Sequence, residues 1–452
     1  MNEQSPIMPS SDRDILDPPV GILSSLRYMG PGLILSAAIV GSGELIVTTT
    51  LGAKAGFSLL WIIVFGCMVK VAVQLEYGRF CIHYGLPTLQ AWNHVGRIKW
   101  FSIHWTVYVA LLYMLSTFAG QAGVLGGAAQ AAVYAFPALS LPLWILLIAS
   151  SIGLILSCGG YNLVEGIAAL LNFIFITTVF YCVFALFGTP YSFTLGDLWS
   201  GFRFQLPRET VGLALAAFGI TGIAAGEITV YTYWCQEKGY ARWTGIKDGS
   251  PEWYERARGW IRVMTIDAVA SMIIYTLATA AFYILGACVL RSQETLSDGN
   301  EFIFQLSAIF TDLLGGRARW IFMLCSFAVL FSTIFANAAG FSRMWTDFFG
   351  LCRWIDWENE KQRRRSISLT AWLFPFICGF IYFVFQKPLL LVVFMGICNA
   401  LFLVVVAYQT VIFRYKYADA KLKPSRFYDA ALWLSLISIG FLAVQTVSSL
   451  IP

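Results

Sequence analysis

Eleven apolar stretches, each close to the length of a bilayer-crossing helix, leave this chain few ways to fold. Inside hydrocarbon every backbone N–H and C=O must find a partner within the protein, so spanning segments are helices or closed barrels. Runs of about 20 mostly apolar residues read as helices. The stretches cover residues 29–53, 57–82, 103–135, 141–158, 162–187, 210–233, 261–288, 318–341, 367–386, 388–413 and 429–450. Only 12% of residues are charged and 58% are hydrophobic, against roughly 25% charged in a soluble domain. The chain therefore reads as an all-α membrane protein with many spans. Residues 301–314 read as a short extra helix in a loop.

Lysine and arginine set the orientation. With the N-terminus in the cytoplasm, 22 of the 30 basic residues fall on inside segments and 7 on outside ones, with Lys70 within the second stretch. Eleven spans then put the C-terminus outside. The net charge of +5 follows from this bias and does not point to nucleic acid. The expected partners are the lipid bilayer and a small cation, in a cell inner or plasma membrane. Residues 1–25 lack the pattern of a signal peptide and read as a disordered cytoplasmic tail.

Several chemistries have no foothold. The ten cysteines are scattered without a Cys-x-x-Cys pair, and there are only three histidines. No Gly-x-x-x-x-Gly-Lys-Ser/Thr loop and no His-Glu-x-x-His helix occurs. ATP-driven pumping and intramembrane hydrolysis are disfavoured, and no cofactor is expected.

Two glutamates stand out. Glu44 lies in Gly-Ser-Gly-Glu (41–44) and Glu227 in Ala-Ala-Gly-Glu (224–227), both inside apolar stretches. A carboxylate at mid-membrane costs at least ~2.5–3.5 kcal/mol on insertion scales, so it is kept for a partner or a function. Small residues ahead of each acid let the helix open. The two stretches are the first and the sixth, the offset expected of two inverted five-helix repeats around a central substrate site. The predicted division is a first repeat at 26–188, a second at 189–415, and an added eleventh helix within 416–452.

Longer motifs carry a family resemblance. Gly30 to Leu45 (GPGLILSAAIVGSGEL) resembles the first helix of the Nramp family of proton-coupled divalent metal transporters. Gln74 and Arg79 are similar to the end of that family's second helix, Glu165 to the acid opening its fifth, Ile266–Ser271 to the start of its seventh, and Phe331–Phe341 to its eighth. The resemblance implies a LeuT-type fold and alternating access. It also implies a changed metal site. Gly41 and Glu44 stand where the family carries the Asp and Asn of D-P-G-N, and Ala225 and Glu227 where it carries the Met and His of M-P-H.

On this reading the candidate metal site comprises Glu44, Glu227, Gly41, Ala224 and Thr229, with Ser42, Thr48 and Asn399 lining the cavity. Glu76, Arg79, Glu165 and Asp267 are candidates for a gate or proton relay. With the family's thioether replaced by Ala225, the set is oxygen-only, which suits Mg²⁺ or Mn²⁺. Two ionised glutamates balance a divalent charge, and the emptied pair would hold a proton instead. The alternatives are an organic-cation or amino-acid-like substrate on the same fold, a membrane sensor without transport, and, for Glu44, a packing acid paired with Lys70.

Overall fold

The computed structural model describes residues 15–39, 41–158, 160–292 and 318–450. Among them are eleven helices long and apolar enough to span a membrane: Pro31–Ala55, Leu60–Tyr84, Trp105–Ala135, Leu141–Cys158, Tyr161–Ala185, Arg208–Lys238, Pro251–Val289, Met323–Leu351, Glu360–Phe385, Pro388–Tyr417 and Arg426–Ser448. They are the first to eleventh spans below. Strand pairing among the described residues is limited to a small antiparallel ladder, Lys99–Trp100 with Ile103–His104. The extra helix expected at 301–314 and the first fourteen residues of the tail lie outside the described residues.

Helices outrun their apolar stretches at one face. The segment Cys235–Arg262 reads from sequence as a surface helix between the sixth and seventh spans. Instead the sixth span's helix runs to Lys238, a short helix Tyr240–Thr244 follows, and the seventh span's helix begins at Pro251. Ser250 caps that start by accepting the Trp253 N–H, and Pro251 takes the first helical position, which needs no N–H donor. Residues 15–25, assigned by sequence to the disordered tail, are tied to this region. The Trp260 indole donates to the Leu16 carbonyl at 2.9 Å, and the Leu16 N–H to the Trp243 carbonyl at 3.1 Å.

The packing repeats itself at an offset of five. The third span packs on the tenth and the eighth on the fifth. The second packs on the latter half of the sixth, and the seventh on the latter half of the first. The fourth meets the ninth, and the third meets the eighth. Exchanging each helix for the one five places away maps this set onto itself, the signature of two inverted repeats in a LeuT-type fold. The eleventh span lies outside the exchange, against the tenth and second. Because lipid supplies no hydrophobic drive between helices, close crossings rely on small residues. A Cβ on Gly219 would strike the Gly396 backbone, so the sixth and tenth spans touch main chain to main chain.

Candidate functional site

Both acid-bearing spans are broken beside their glutamate, in different ways. The first is α-helical over Pro31–Ile39, winds as a π-helix over Ser42–Thr48, and resumes at Thr49–Ala55. The Gly41 N–H donates to the Ile39 carbonyl at 2.7 Å, and the Gly41 carbonyl accepts the Leu45 N–H at 3.0 Å. Wide turns of this kind often mark functional positions. The sixth span is helical over Val211–Ile220, leaves Thr221–Ala224 unwound, and resumes at Ala225–Lys238. Gly222 holds φ +60° there, and a Cβ on it would sit 2.7 Å from Cys67 Cα, so glycine alone fits.

The carboxylates flank that unwound stretch. Glu44, fully buried, accepts the Thr279 hydroxyl at 3.1 Å and the Gly222 N–H at 3.4 Å on Oε1. Glu227 sits in the first turn after the break, where the helix N-terminus favours negative charge. Glu44 Oε2 and Glu227 Oε2 are both buried without a hydrogen-bond partner. Orphaned carboxylate oxygens are costly unless something else fills them.

Glu227 lines a small cavity with Ala224, Ile220, Ala38 and Ile39 from the two breaks, Tyr113 and Gln121 from the third span, Phe341 from the eighth, and Met395 and Asn399 from the tenth. It offers a water centre about 10 Å³, close to the ~10–15 Å³ that one water occupies. Glu44 lies behind the break rather than on the cavity wall. Among the described residues no three His, Cys, Asp or Glu side chains converge, so any bound cation draws on neutral donors too.

Other expected residues divide. Asn399 and Ala224 reach the cavity; Asn399 accepts the Tyr113 hydroxyl at 2.8 Å and donates to the Met395 carbonyl at 3.1 Å. Thr229 does not, because its hydroxyl donates to the Gly226 carbonyl at 2.7 Å within its own helix. Thr48 is buried away from the cavity, and Gly41 is pressed against Thr333. The Ser42 side chain lies outside the described residues. Lys70, weighed as a partner for Glu44, donates instead to the Phe218 and Thr221 carbonyls.

The candidate gate residues lie at the basic face. Asp267 accepts the N–H groups of Gly30 (3.2 Å) and Gly32 (2.7 Å), capping the first span. Glu165 pairs with Lys238 at 2.8 Å, and the same ammonium donates to the Met29 carbonyl at 2.9 Å. These contacts tie the first, fifth, sixth and seventh spans together. Glu76 and Arg79 are 3.7 Å apart, and Arg79 lies over the Tyr428 ring. Sequence reasoning passed over Asp347, which accepts the Tyr233 hydroxyl at 2.6 Å and the Gln90 amide at 2.9 Å. It also passed over Tyr113, Gln121 and Met395. A lone acid near a helix end was a signal for Asp347; the other three carry none.

Comparison with known proteins agrees with this architecture. A manganese transporter from Eremococcus coleocola, solved with an aromatic bis-isothiourea compound, superposes with a TM-score of 0.70 at 15% identity, covering 96% of this chain and 89% of that one. Mhp1, a nucleobase-cation-symport-1 family transporter in a closed conformation with bromovinylhydantoin bound, gives 0.61 at 14% identity, covering 97% and 92%. MhsT with L-phenylalanine gives 0.52 at 15%, covering 92% and 98%. An uncharacterised protein of Pasteurella multocida is 24% identical over 445 residues, 94% of this chain and 92% of its own length. The description "Natural resistance-associated macrophage protein-like" matches residues 32–449, and the chain belongs to the Nramp family.

Proposed function

We propose that this protein is a secondary-active transporter of a divalent metal cation, Mn²⁺ ahead of Mg²⁺, working by alternating access with protons taking the metal's place on the emptied carboxylates. The observation that carries the reading is the pair of buried, unpartnered oxygens, Glu44 Oε2 and Glu227 Oε2, on either side of the sixth-span break. Two ionised carboxylates outweigh the single buried ammonium of Lys70 beside them and leave a negative site that attracts a cation. The likeness to a manganese transporter and membership of the Nramp family support a metal cargo. Mn²⁺ moves ahead of Mg²⁺ because the cavity wall is not oxygen-only. Met395 brings a thioether to it from the tenth span, and soft sulfur favours transition metals over Mg²⁺. On this reading the basic face is cytoplasmic, the C-terminus is outside, and the membrane is a cell inner or plasma membrane.

The test is uptake of Mn²⁺ and Mg²⁺ by reconstituted vesicles, with Glu44→Gln and Glu227→Gln. Each substitution should lower flux, Glu227→Gln more than Glu44→Gln; undiminished uptake in the double variant would eliminate the site. An organic cation is the second reading, favoured by the Tyr113 and Phe341 rings in the cavity wall, which suit an ammonium. Ligand binding to the native state raises its melting temperature. Stabilisation by amines and by no metal would reverse the ranking.

A further inference from the structure

A helix that stops inside a membrane leaves carbonyl oxygens without intrahelical donors, at the negative end of its dipole. The two broken spans answer this differently. At the first span, neutral groups of the eighth donate: the Thr333 hydroxyl to the Ala37 carbonyl at 3.2 Å and the Asn337 amide to the Ala38 carbonyl at 3.5 Å. At the sixth span the donor is a cation. Lys70 is fully buried, and its Nζ donates to the Phe218 carbonyl at 2.8 Å and the Thr221 carbonyl at 2.5 Å. The ammonium also lies 4.9 Å from the Phe218 ring centroid, within cation–π range. Its hydrogen bonds go to carbonyls and to neither glutamate; Glu44 and Glu227 reach it only through space. The break is pressed onto the same helix one turn earlier, at Cys67.

We propose that the Lys70 ammonium is a resident counter-cation: it fills the carbonyl cradle at the sixth-span break, so the cycle needs no separate monovalent ion there. With both glutamates ionised, the fixed charge around the break is then one negative, not two. A compact ammonium is a point charge with three donors, the nearest a side chain comes to a bound alkali ion. A tethered ion costs no association entropy in each cycle, unlike one captured from solution.

The proposal is tested on the purified full-length chain by thermal unfolding in Na⁺, K⁺, methylammonium or choline at matched ionic strength. Wild type should melt alike in all four. Lys70→Met removes the charge and keeps most of the stem; it should melt lower in choline and recover in methylammonium. Lys70→Gln keeps N–H donors for the carbonyls without the charge, and should behave like the Met variant. A Gln variant as stable as wild type in choline would show that hydrogen bonding alone suffices and would overturn the proposal. So would a variant that no small cation restores, or a wild type stabilised specifically by Na⁺; if neither variant can be purified, that last measurement decides. The flux arm rests on the transporter reading: wild-type Mn²⁺ uptake should agree within twofold between Na⁺ and choline, and Lys70→Met should lose at least tenfold in choline and regain it with methylammonium. Wild type that moves no Mn²⁺ counts against that reading, while the melting arm still judges the lysine.

Discussion

The first and sixth spans hold equivalent places in the two repeats and are broken beside an acid, yet they solve the same problem by different means. The first re-closes its backbone. Gly41 and the π-helical run Ser42–Thr48 take up the slack, and Thr333 and Asn337 supply neutral donors. The sixth stays open over Thr221–Ala224, and Lys70 neutralises its carbonyl end. The Ala37, Ala38 and Ile39 carbonyls of the first span and the Phe218 and Thr221 carbonyls of the sixth are thus already engaged. An ion in the cavity would meet the Glu227 carboxylate, Met395 and the Asn399 amide on its wall, with the Glu44 carboxylate behind the break. The contrast also separates the acids, since Glu227 lies on the cavity wall and Glu44 behind the break.

The sharpest way to break this comparison is to neutralise each acid separately. Glu227→Gln should lower Mn²⁺ uptake by roughly 100-fold or more, about 2.7 kcal/mol, and Glu44→Gln by roughly tenfold, about 1.4 kcal/mol. Equal losses in vesicle assays would erase the asymmetry between the two breaks. Comparable in size to the larger of these is the cap on the first span. Asp267→Ala strips the acceptor from two buried N–H groups and should cost about 2–3 kcal/mol, read as a lower melting temperature.

Glycine substitutions compare the breaks directly. Gly222→Ala meets the backbone of Cys67 and a left-handed φ, a strain of about 1–3 kcal/mol that trimming Cys67 to Ala should not relieve. Gly41→Ala meets first the Thr333 side chain, so Thr333→Gly should relieve it in part. If both pairs respond alike in thermal unfolding, the backbones are not held differently. A smaller effect is expected at the thioether. Met395→Leu should move the Mn²⁺ over Mg²⁺ preference of uptake down by about three- to tenfold, in line with lost soft-ligand character; an unchanged ratio would remove sulfur from the site.

The smallest effect lies outside the membrane. Partial burial works to raise the Asp419 carboxyl. The Lys247 ammonium at 2.9 Å, the Lys421 N–H and the Tyr254 hydroxyl outweigh it and hold the group well below the usual carboxylate range. A depressed folded-state value stabilises above the unfolded pKa, about 3.9, and the benefit fades as pH falls through the folded value. Asp419→Asn should therefore cost about 0.5–1 kcal/mol at neutral pH and progressively less below about pH 4. A penalty that grows in acid would contradict this pairing.

The sequence by itself determined the membrane helices, their number and the two acid positions. Hydrocarbon penalises unpaired backbone and charge so heavily that an apolar run of the right length, or a carboxylate within it, has few readings. Helix ends at the basic face were not legible in the same way. A helix stops at its caps and not where its apolar stretch stops, so the seventh begins at Pro251, ahead of the expected start at 261. Only tertiary structure decided what each polar group would touch. Lys70 reached carbonyls 148 and 151 residues away instead of Glu44. Thr229 turned to Gly226 in its own helix, while Met395, unremarkable in an apolar run, came to the cavity. Burial costs are local and can be read along the chain; the partner that offsets a buried group is chosen by which helices pack together, and for Lys70, Glu165 and Asp267 that partner comes from the opposite repeat.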